Sequence, residues 1–400
     1  MRISTSQFHQ RALDSLFSQQ DALSRTQNQI ATGKRIQTPA DDPIGAVHIL
    51  ELQRAQSELD QFKRNSDAAT ARLTVAEQAL GDSGLILQRV RELVVQANSG
   101  VIDDTARAAI SIELQQRASE LLDIANRRDG NGEFLFSGYA TTTQPFARIG
   151  ASVTYAGDQG GRVLQVAPTQ RIADGDSGFS VFQNVTQGNG TFVTAANVAN
   201  TGSGSIDTGQ VVNAGAWVPQ TYTITFVAPD SYQITNSVPT TIVPAAPGNF
   251  AAGSAISFNG VQVKIDGAPA TGDKFTVATS QKEDIFTSID KVIAALAPSV
   301  TSAPQRAQLT TKLAGALQQL DQADSHLINV RTDVGARLST LDSTSTARQD
   351  LSVDLQAAVS KLSDVDYADA ISRLTRQQLG LQAAQQSYAN ISKLSLFNYL

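Results

Sequence analysis

Leu52, Ala55, Leu59, Phe62, Ser66, Ala69, Leu73, Ala76, Leu80, Ser83, Leu87, Val90, Val94 and Ala97 follow one another at alternating three- and four-residue steps. This seven-residue period keeps one stripe of an α-helix turned toward a partner helix. A helix from Pro43 to Asn98 is roughly 84 Å long at ~1.5 Å per residue, which no ordinary globular domain accommodates. The residues able to cover the stripe lie at the far end of the chain. The expected fold is therefore α+β and multidomain: a long antiparallel helical rod, coiled-coil-like, closed by its N- and C-terminal segments.

The ends of these helices are marked in the sequence. Thr5 to Thr32 carries Leu16, Leu23 and Ile30 at heptad spacing, diluted by Gln19, Gln20, Gln27 and Gln29. Gly33 is a plausible stop, because glycine tolerates the left-handed turn after a helix. Thr38-Pro39-Ala40-Asp41-Asp42-Pro43 starts the next helix, with an aspartate to cap free N–H groups and Pro43 where a missing N–H costs nothing. Gly81 and Gly84 weaken the long helix by up to ~1 kcal/mol each relative to alanine and make a kink possible. Asp103-Asp104 opens a third helix, running to about Gly130. Helical patterning returns at 283–297, at 304–364 through Leu313, Leu320, Leu327, Leu341, Leu351, Leu355 and Leu362, and at 367–400.

Between the helical parts the pattern changes. Phe134-Leu135-Phe136, Val153-Thr154-Tyr155 and Val163-Leu164-Gln165-Val166 are strand-like, and Gly157-Asp158-Gln159-Gly160-Gly161 reads as a hairpin connection. From about Thr169 to Gln281 the chain is rich in Thr, Gly, Val, Asn and Ala and poor in charge. Alternating runs such as Thr221 to Phe226 and turn pairs such as Asn259-Gly260 predict an inserted antiparallel β domain.

Composition excludes several functions. With 31 basic and 37 acidic residues the net charge is −6, and no basic footprint for nucleic acid is present. There is no cysteine, hence no disulfide or thiolate metal site. No run approaches the ~20 apolar residues of a membrane span, and Met1 to Ala12 lacks the apolar core of a cleaved signal. Gly-Asp-Ser-Gly occurs at 81–84 and 175–178, but His9, His48 and His326 all fall in predicted helices, far from a triad arrangement. Asp174, Asp176 and Gly178 mimic the start of a calcium loop whose twelfth position, Val185, lacks the required glutamate. Asp364, Asp366 and Asp369 read as a helix start, with Asp364 or Asp366 as cap. The expectation is a chain with no catalytic residue, no metal and no cofactor.

The terminal segments carry thin apolar stripes. A two-helix pair this narrow is marginal by itself, since helix stability in water comes mainly from packing an amphipathic face. The ends are therefore expected to order when several copies come together, glutamine bridging subunits without the desolvation cost of a charge.

Seven motifs in order resemble the flagellin superfamily: Met1 to Thr5; Ile30-Ala31-Thr32-Gly33-Lys34-Arg35-Ile36; Ala40-Asp41-Asp42-Pro43-Ile44-Gly45-Ala46; Asn131 to Gly138; Val330 to Leu338; Asp364-Val365-Asp366-Tyr367-Ala368; and Leu394-Ser395-Leu396-Phe397. The likeness covers roughly 1–168 and 283–400 and leaves out the β insert. Pro43, where flagellins usually carry alanine, and the ending Phe397-Asn398-Tyr399-Leu400 favour a junction branch over the filament subunit.

The resemblance implies a structural adaptor of the bacterial flagellum, not an enzyme. It would be secreted through the type III export apparatus, escorted by a cytoplasmic export chaperone, and assembled as a ring of copies at the extracellular hook–filament junction. Its neighbours there would be the hook-associated protein FlgK and flagellin. The rivals are flagellin itself, the bulk filament subunit, and a surface adhesin acting through the β insert.

The expected domains are terminal coiled-coil helices at 1–40 with 365–400, a helical rod with a β-hairpin at 41–168 with 283–364, and the outer β insert at 169–282. Assembly and chaperone binding are expected of Leu16, Leu23, Ile30, Leu374, Leu381, Tyr388, Ile391, Leu394, Leu396 and Phe397. The rod core is expected of Leu59, Phe62, Leu73, Leu80, Leu87, Leu351, Leu355 and Leu362.

Overall fold

The computed structural model describes residues 5–100, 102–150, 152–237 and 248–393. The chain forms two compact units, one of residues 1–64 with 343–400 and one of residues 65–342. Three helices open the chain: α1 (Thr5–Thr32), α2 (Pro43–Ala97) and α3 (Asp104–Ala125). Helix α2 is unbroken through Gly81 and Gly84. Asp103 caps α3, accepting from Ala106 N–H at 2.8 Å.

Two hairpins follow. β1 (Phe146–Ile149) pairs with β2 (Ser152–Tyr155), and β3 (Val163–Ala167) with β4 (Gln170–Ala173). The insert then runs through β5 (Val185–Thr186), β6 (Phe192–Ala196), β7 (Ser205–Ile206), β8 (Gln210–Val211), β9 (Tyr222–Ala228) and β10 (Ser231–Asn236). It continues with β11 (Gly248–Asn249), β12 (Ala255–Phe258), β13 (Val261–Asp266), β14 (Lys274–Thr279) and β15 (Lys282–Glu283). Helices α4 (Ile285–Leu296), α5 (Ala303–Ser363) and α6 (Tyr367–Lys393) complete the described chain.

In the 65–342 unit the insert has its own core. One antiparallel sheet has the order β11-β10-β9-β14-β6, another the order β12-β13-β7 with β8 on β13. Alternate residues point inward, as the two-residue period of a strand requires: Tyr222, Ile224 and Phe226 on β9, and Val261, Val263 and Ile265 on β13, are all buried. The turn between β12 and β13 is Asn259-Gly260, both with positive φ (42° and 78°), the geometry that pair favours. Strand β5 lies against β15, so the chain enters and leaves the insert at one place.

The second core of this unit gathers Leu73, Leu80 and Leu87 from α2, Leu114 and Leu121 from α3, Phe286 and Ile289 from α4, and Leu313, Leu320 and Leu327 from α5. Phe136, Phe146, Phe182 and Phe286 meet in edge and tilted contacts at 5.2–6.0 Å between ring centres. Beside them Arg72 is buried, paired to Asp129 at 2.6 Å and donating to the Phe134 carbonyl at 2.7 Å. Arg162 joins Glu133 (2.9 Å) to Asp174 (2.8 Å). Arg337 grips Asp176 through both terminal nitrogens at 2.9 Å. The aspartates that imitate a calcium loop are thus arginine partners, and among the described residues no cluster of three His, Cys, Asp or Glu could hold a metal.

Three local expectations are corrected. Phe134-Leu135-Phe136 is no strand; it turns sharply, joined to Arg128 by a single bridge. Its burial comes from Arg72 fastening its carbonyls to α2, at 2.7 Å from Phe134 O and 3.2 Å from Leu135 O. The 157–161 segment does not connect a hairpin, because β2 and β3 pair backward and forward with β1 and β4 instead. It is a loop organised by the Asp158 carboxylate, which accepts from the N–H groups of Tyr139 (2.9 Å), Ala140 (3.0 Å) and Gly160 (2.7 Å). Those bonds, the backbone ones of Tyr139 and Gly160 foremost, hold its carboxyl below the usual carboxylate range.

The third correction concerns the helical core. Leu59, Phe62, Leu73, Leu80 and Leu87 are buried, whereas Leu355 and Leu362 are half-buried and Leu351 is exposed. A straight helix turns ~20° per heptad away from a 3.5-residue repeat, so a leucine in sequence register need not stay on the covered face.

Candidate assembly site in the terminal helices

The 1–64 and 343–400 unit is built on two crossovers that bind each other. Helix α1 stops at Gly33, whose φ of +71° is the left-handed conformation glycine adopts without Cβ penalty. The chain then runs beside the segment that joins α5 to α6. Arg35 N–H donates to Ser363 O at 2.6 Å, Val365 N–H donates to Gly33 O at 2.9 Å, and Lys34 and Asp364 form an antiparallel bridge. The Arg35 guanidinium adds a bond to Leu362 O at 2.8 Å.

Each aspartate here has a separate task. Asp41 accepts from Thr38 N–H (2.9 Å), the Thr38 hydroxyl (3.0 Å) and Gln37 N–H (3.2 Å). These bonds, led by Thr38, keep its carboxyl below the ordinary range. Asp42 caps α2 through Gly45 N–H at 2.9 Å. Asp364 accepts from the hydroxyls of Ser360 and Ser363, which likewise hold its carboxyl below the ordinary range. Asp366 caps α6, accepting from Ala368 N–H (2.9 Å) and Asp369 N–H (3.2 Å). Gly45 is where α2 meets this crossover: a Cβ there would lie 2.6 Å from Asp42 Oδ2 and 2.7 Å from Ile36 Cδ1.

Helices α1 and α6 pack along each other. Leu16, Leu23 and Ile30 on α1, and Leu374, Leu381 and Tyr388 on α6, are all half-buried, with Thr26 and Ala370 fully buried. The heptad positions therefore form the seam within one chain. The Ile391 side chain, and Leu394, Leu396 and Phe397, lie outside the described residues. The seam is incomplete: Gln19 Oε1 and Gln377 Oε1 are buried without a donor, each a cost of about 1–3 kcal/mol.

What the heptads do not mark is the outer face. Phe17 is 61% exposed on α1 and Leu379 is 69% exposed on α6; Ile371, Tyr367 and Leu13 are exposed as well. Ile44, Val47 and Leu50 form a further exposed run at the start of α2. Phe17 and Leu379 lie one and two positions off the heptad residues Leu16 and Leu381, whereas Tyr367 keeps the register of Leu374 and is exposed nonetheless.

Long terminal helices joined by mutually bonded crossovers, with a β insert between them, define a flagellin-type chain. The model of the bacterial flagellin N-terminal helical region matches residues 3–141, and that of the C-terminal helical region matches 317–400. Residues 195–279 match the D2-like domain of flagellar hook-associated protein 1.

Among solved structures, FlgL of Xanthomonas campestris is 31% identical with a TM-score of 0.73, over 77% of this chain and 99% of that one. Flagellar hook-associated protein 3 of Escherichia coli K12 is 25% identical over 99% of both chains. A Bacillus subtilis flagellin is 36% identical, over 32% of this chain and 42% of its own. The chain belongs to the flagellar hook-associated protein 3 (FlgL) family.

Proposed function

We propose that this chain is a structural adaptor of the bacterial flagellum, joining the hook-associated protein FlgK on the hook side to the flagellin filament by helical self-assembly. It acts outside the cell at the hook–filament junction, as a ring of copies, after passage through the type III export apparatus in the care of an export chaperone. The observation that carries this reading is a set of large apolar side chains exposed on α1 and α6. Phe17, Ile371 and Leu379 stand in water although each sits on a helix already packed against its partner. Large apolar side chains exposed on helices already packed in this way suit an interaction surface.

The thin seam fits the same reading. Leu16, Leu23, Ile30, Leu374, Leu381 and Tyr388 are half-covered within one chain, and Gln19 and Gln377 leave it with unmet hydrogen bonds. Neighbouring copies packed on the outer face complete the burial, and the same helices suit a chaperone's grip before export. The flagellin reading is less well supported, since likeness to flagellin of Bacillus subtilis covers 32% of the chain and likeness to hook-associated protein 3 covers nearly all of it.

The test is deletion of residues 391–400 in the native cell. The account expects hooks without attached filaments and flagellin monomer shed into the medium. Filaments of normal number and full motility would remove the role assigned to that end.

A further inference from the structure

Within the 65–342 unit, a cleft of about 390 Å³ opens between the β insert and helices α4 and α5. Clefts of this size are those that enclose small organic ligands. Its apolar walls are Val193 of β6, Ala294 and Ala295 of α4 and Ala316 of α5. Two features of α5 make it more than a packing gap.

The first is Gln319, 6% exposed and on the cleft wall. Its Oε1 accepts from Gly188 N–H at 3.0 Å, which fixes the orientation of the amide. The Nε2 group is then left buried with no acceptor. A buried donor without a partner is costly and calls for an explanation. An acceptor on a bound molecule supplies one.

The second is Lys312, exposed at the same wall, with no carboxylate within ion-pair distance among the described residues. The cleft's other ammonium, Lys291, is already paired with Glu283, so the local charge is that of a single free cation. Lys312 and Gln319 are seven residues apart, two turns of helix, and so stand on one face about 10 Å apart along its axis.

We propose that this cleft binds a small amphipathic monoanion. Its carboxylate sits at the mouth with Lys312, an apolar chain of about ten carbons lies against Val193 and Ala316, and a carbonyl at the far end accepts from Gln319 Nε2. The site is separate from the terminal helices and does not depend on their role in assembly. Gly315 offers a direct way to close it. A Cβ there meets no atom within 4 Å, and replacing a mid-helix glycine favours the helix, so Gly315→Leu fills the cleft without endangering the fold.

The experiment is calorimetric titration of the full chain with 9-oxodecanoate, decanoate and 1-decanol. The expected result is saturable binding of 9-oxodecanoate at one site per chain, with decanoate weaker by about tenfold for the lost hydrogen bond and 1-decanol weaker again. Lys312→Ala should weaken both carboxylates about tenfold and erase decanoate's advantage over 1-decanol, while 9-oxodecanoate keeps the margin of its Gln319 hydrogen bond. Gln319→Met should bring 9-oxodecanoate down to decanoate, and Gly315→Leu should abolish all binding while thermal unfolding shows an intact chain. No saturable binding at millimolar 9-oxodecanoate, or binding that survives Gly315→Leu, overturns the proposal. So does equal affinity for the three probes.

Discussion

Arg72 is a buried cation in the middle of the longest apolar stripe, and replacing it gives a sharp test of how the 65–342 unit is held. Its side chain is 5% exposed, and its Asp129 partner, at 2.6 Å, is 7% exposed. It also donates to the carbonyls of Phe134 and Leu135. Arg72→Met keeps the length and apolar stem but leaves Asp129 as a buried charge, retaining only the N–H groups of Asn131 and Glu133. Removing one partner of a buried pair costs about 3–5 kcal/mol. For a unit of this size that corresponds to a fall in Tm of roughly 5–9 °C.

The assay is thermal and urea unfolding followed by far-ultraviolet circular dichroism, with Trp217 emission as a second probe. Trp217 packs on Phe192 and Tyr222 of the insert, so the two signals separate the insert's core from the helices. Neutralising both members, Arg72→Met with Asp129→Leu, should recover much of the loss, because an apolar replacement of a whole buried pair is often neutral or better. A single substitution within about 1 kcal/mol of wild type, or a double substitution no better than the single, would refute this account of the network.

Gly45→Ala should destabilise the terminal unit by about 1–3 kcal/mol, the overpacking range, because the new methyl meets Asp42 and Ile36; hydrogen exchange at Arg35 and Val365 reads this as faster opening of the paired crossovers. Leu73→Ala, at a fully buried site, should cost about 2–5 kcal/mol in urea unfolding, whereas Leu351→Ser, on the exposed face of α5, should stay within about 0.5 kcal/mol. Asp41, Asp158 and Asp364 have carboxyl pKa values held below the usual aspartate value in the folded chain. The stability they add is therefore complete above the unfolded aspartate value of ~3.9 and lost as pH falls below it through their folded values. Acid unfolding should steepen below about pH 4, and Asp158→Asn should flatten part of that loss.

The helices were legible because their signals are local and repeated. Heptad leucines gave α1, α2 and α5; Asp42-Pro43 gave the start of α2; and Asn259-Gly260 gave the β12–β13 turn. Phe134-Leu135-Phe136 was misread because a short apolar run has no period of its own, and its conformation is set by Arg72, more than sixty residues earlier in the chain. Gly157 to Gly161 has hairpin composition, yet Asp158 turns it into a loop through partners near residue 140. Leu351 has the right sequence register but lies where α5 has rotated away from cover. In the candidate site the seam was readable from Leu16, Leu23 and Ile30. Its outer face, Phe17 and Leu379, lies off the stripe that periodicity seeks, and only solvent exposure picks it out.

Cryo-electron microscopy of isolated hook–filament junctions puts the assembly claim to its hardest trial. The account expects rings of this chain in which Phe17, Ile371 and Leu379 of one copy are covered by α1 or α6 of the next. A junction in which those side chains remain in solvent, with copies touching solely through the 65–342 unit, would contradict it.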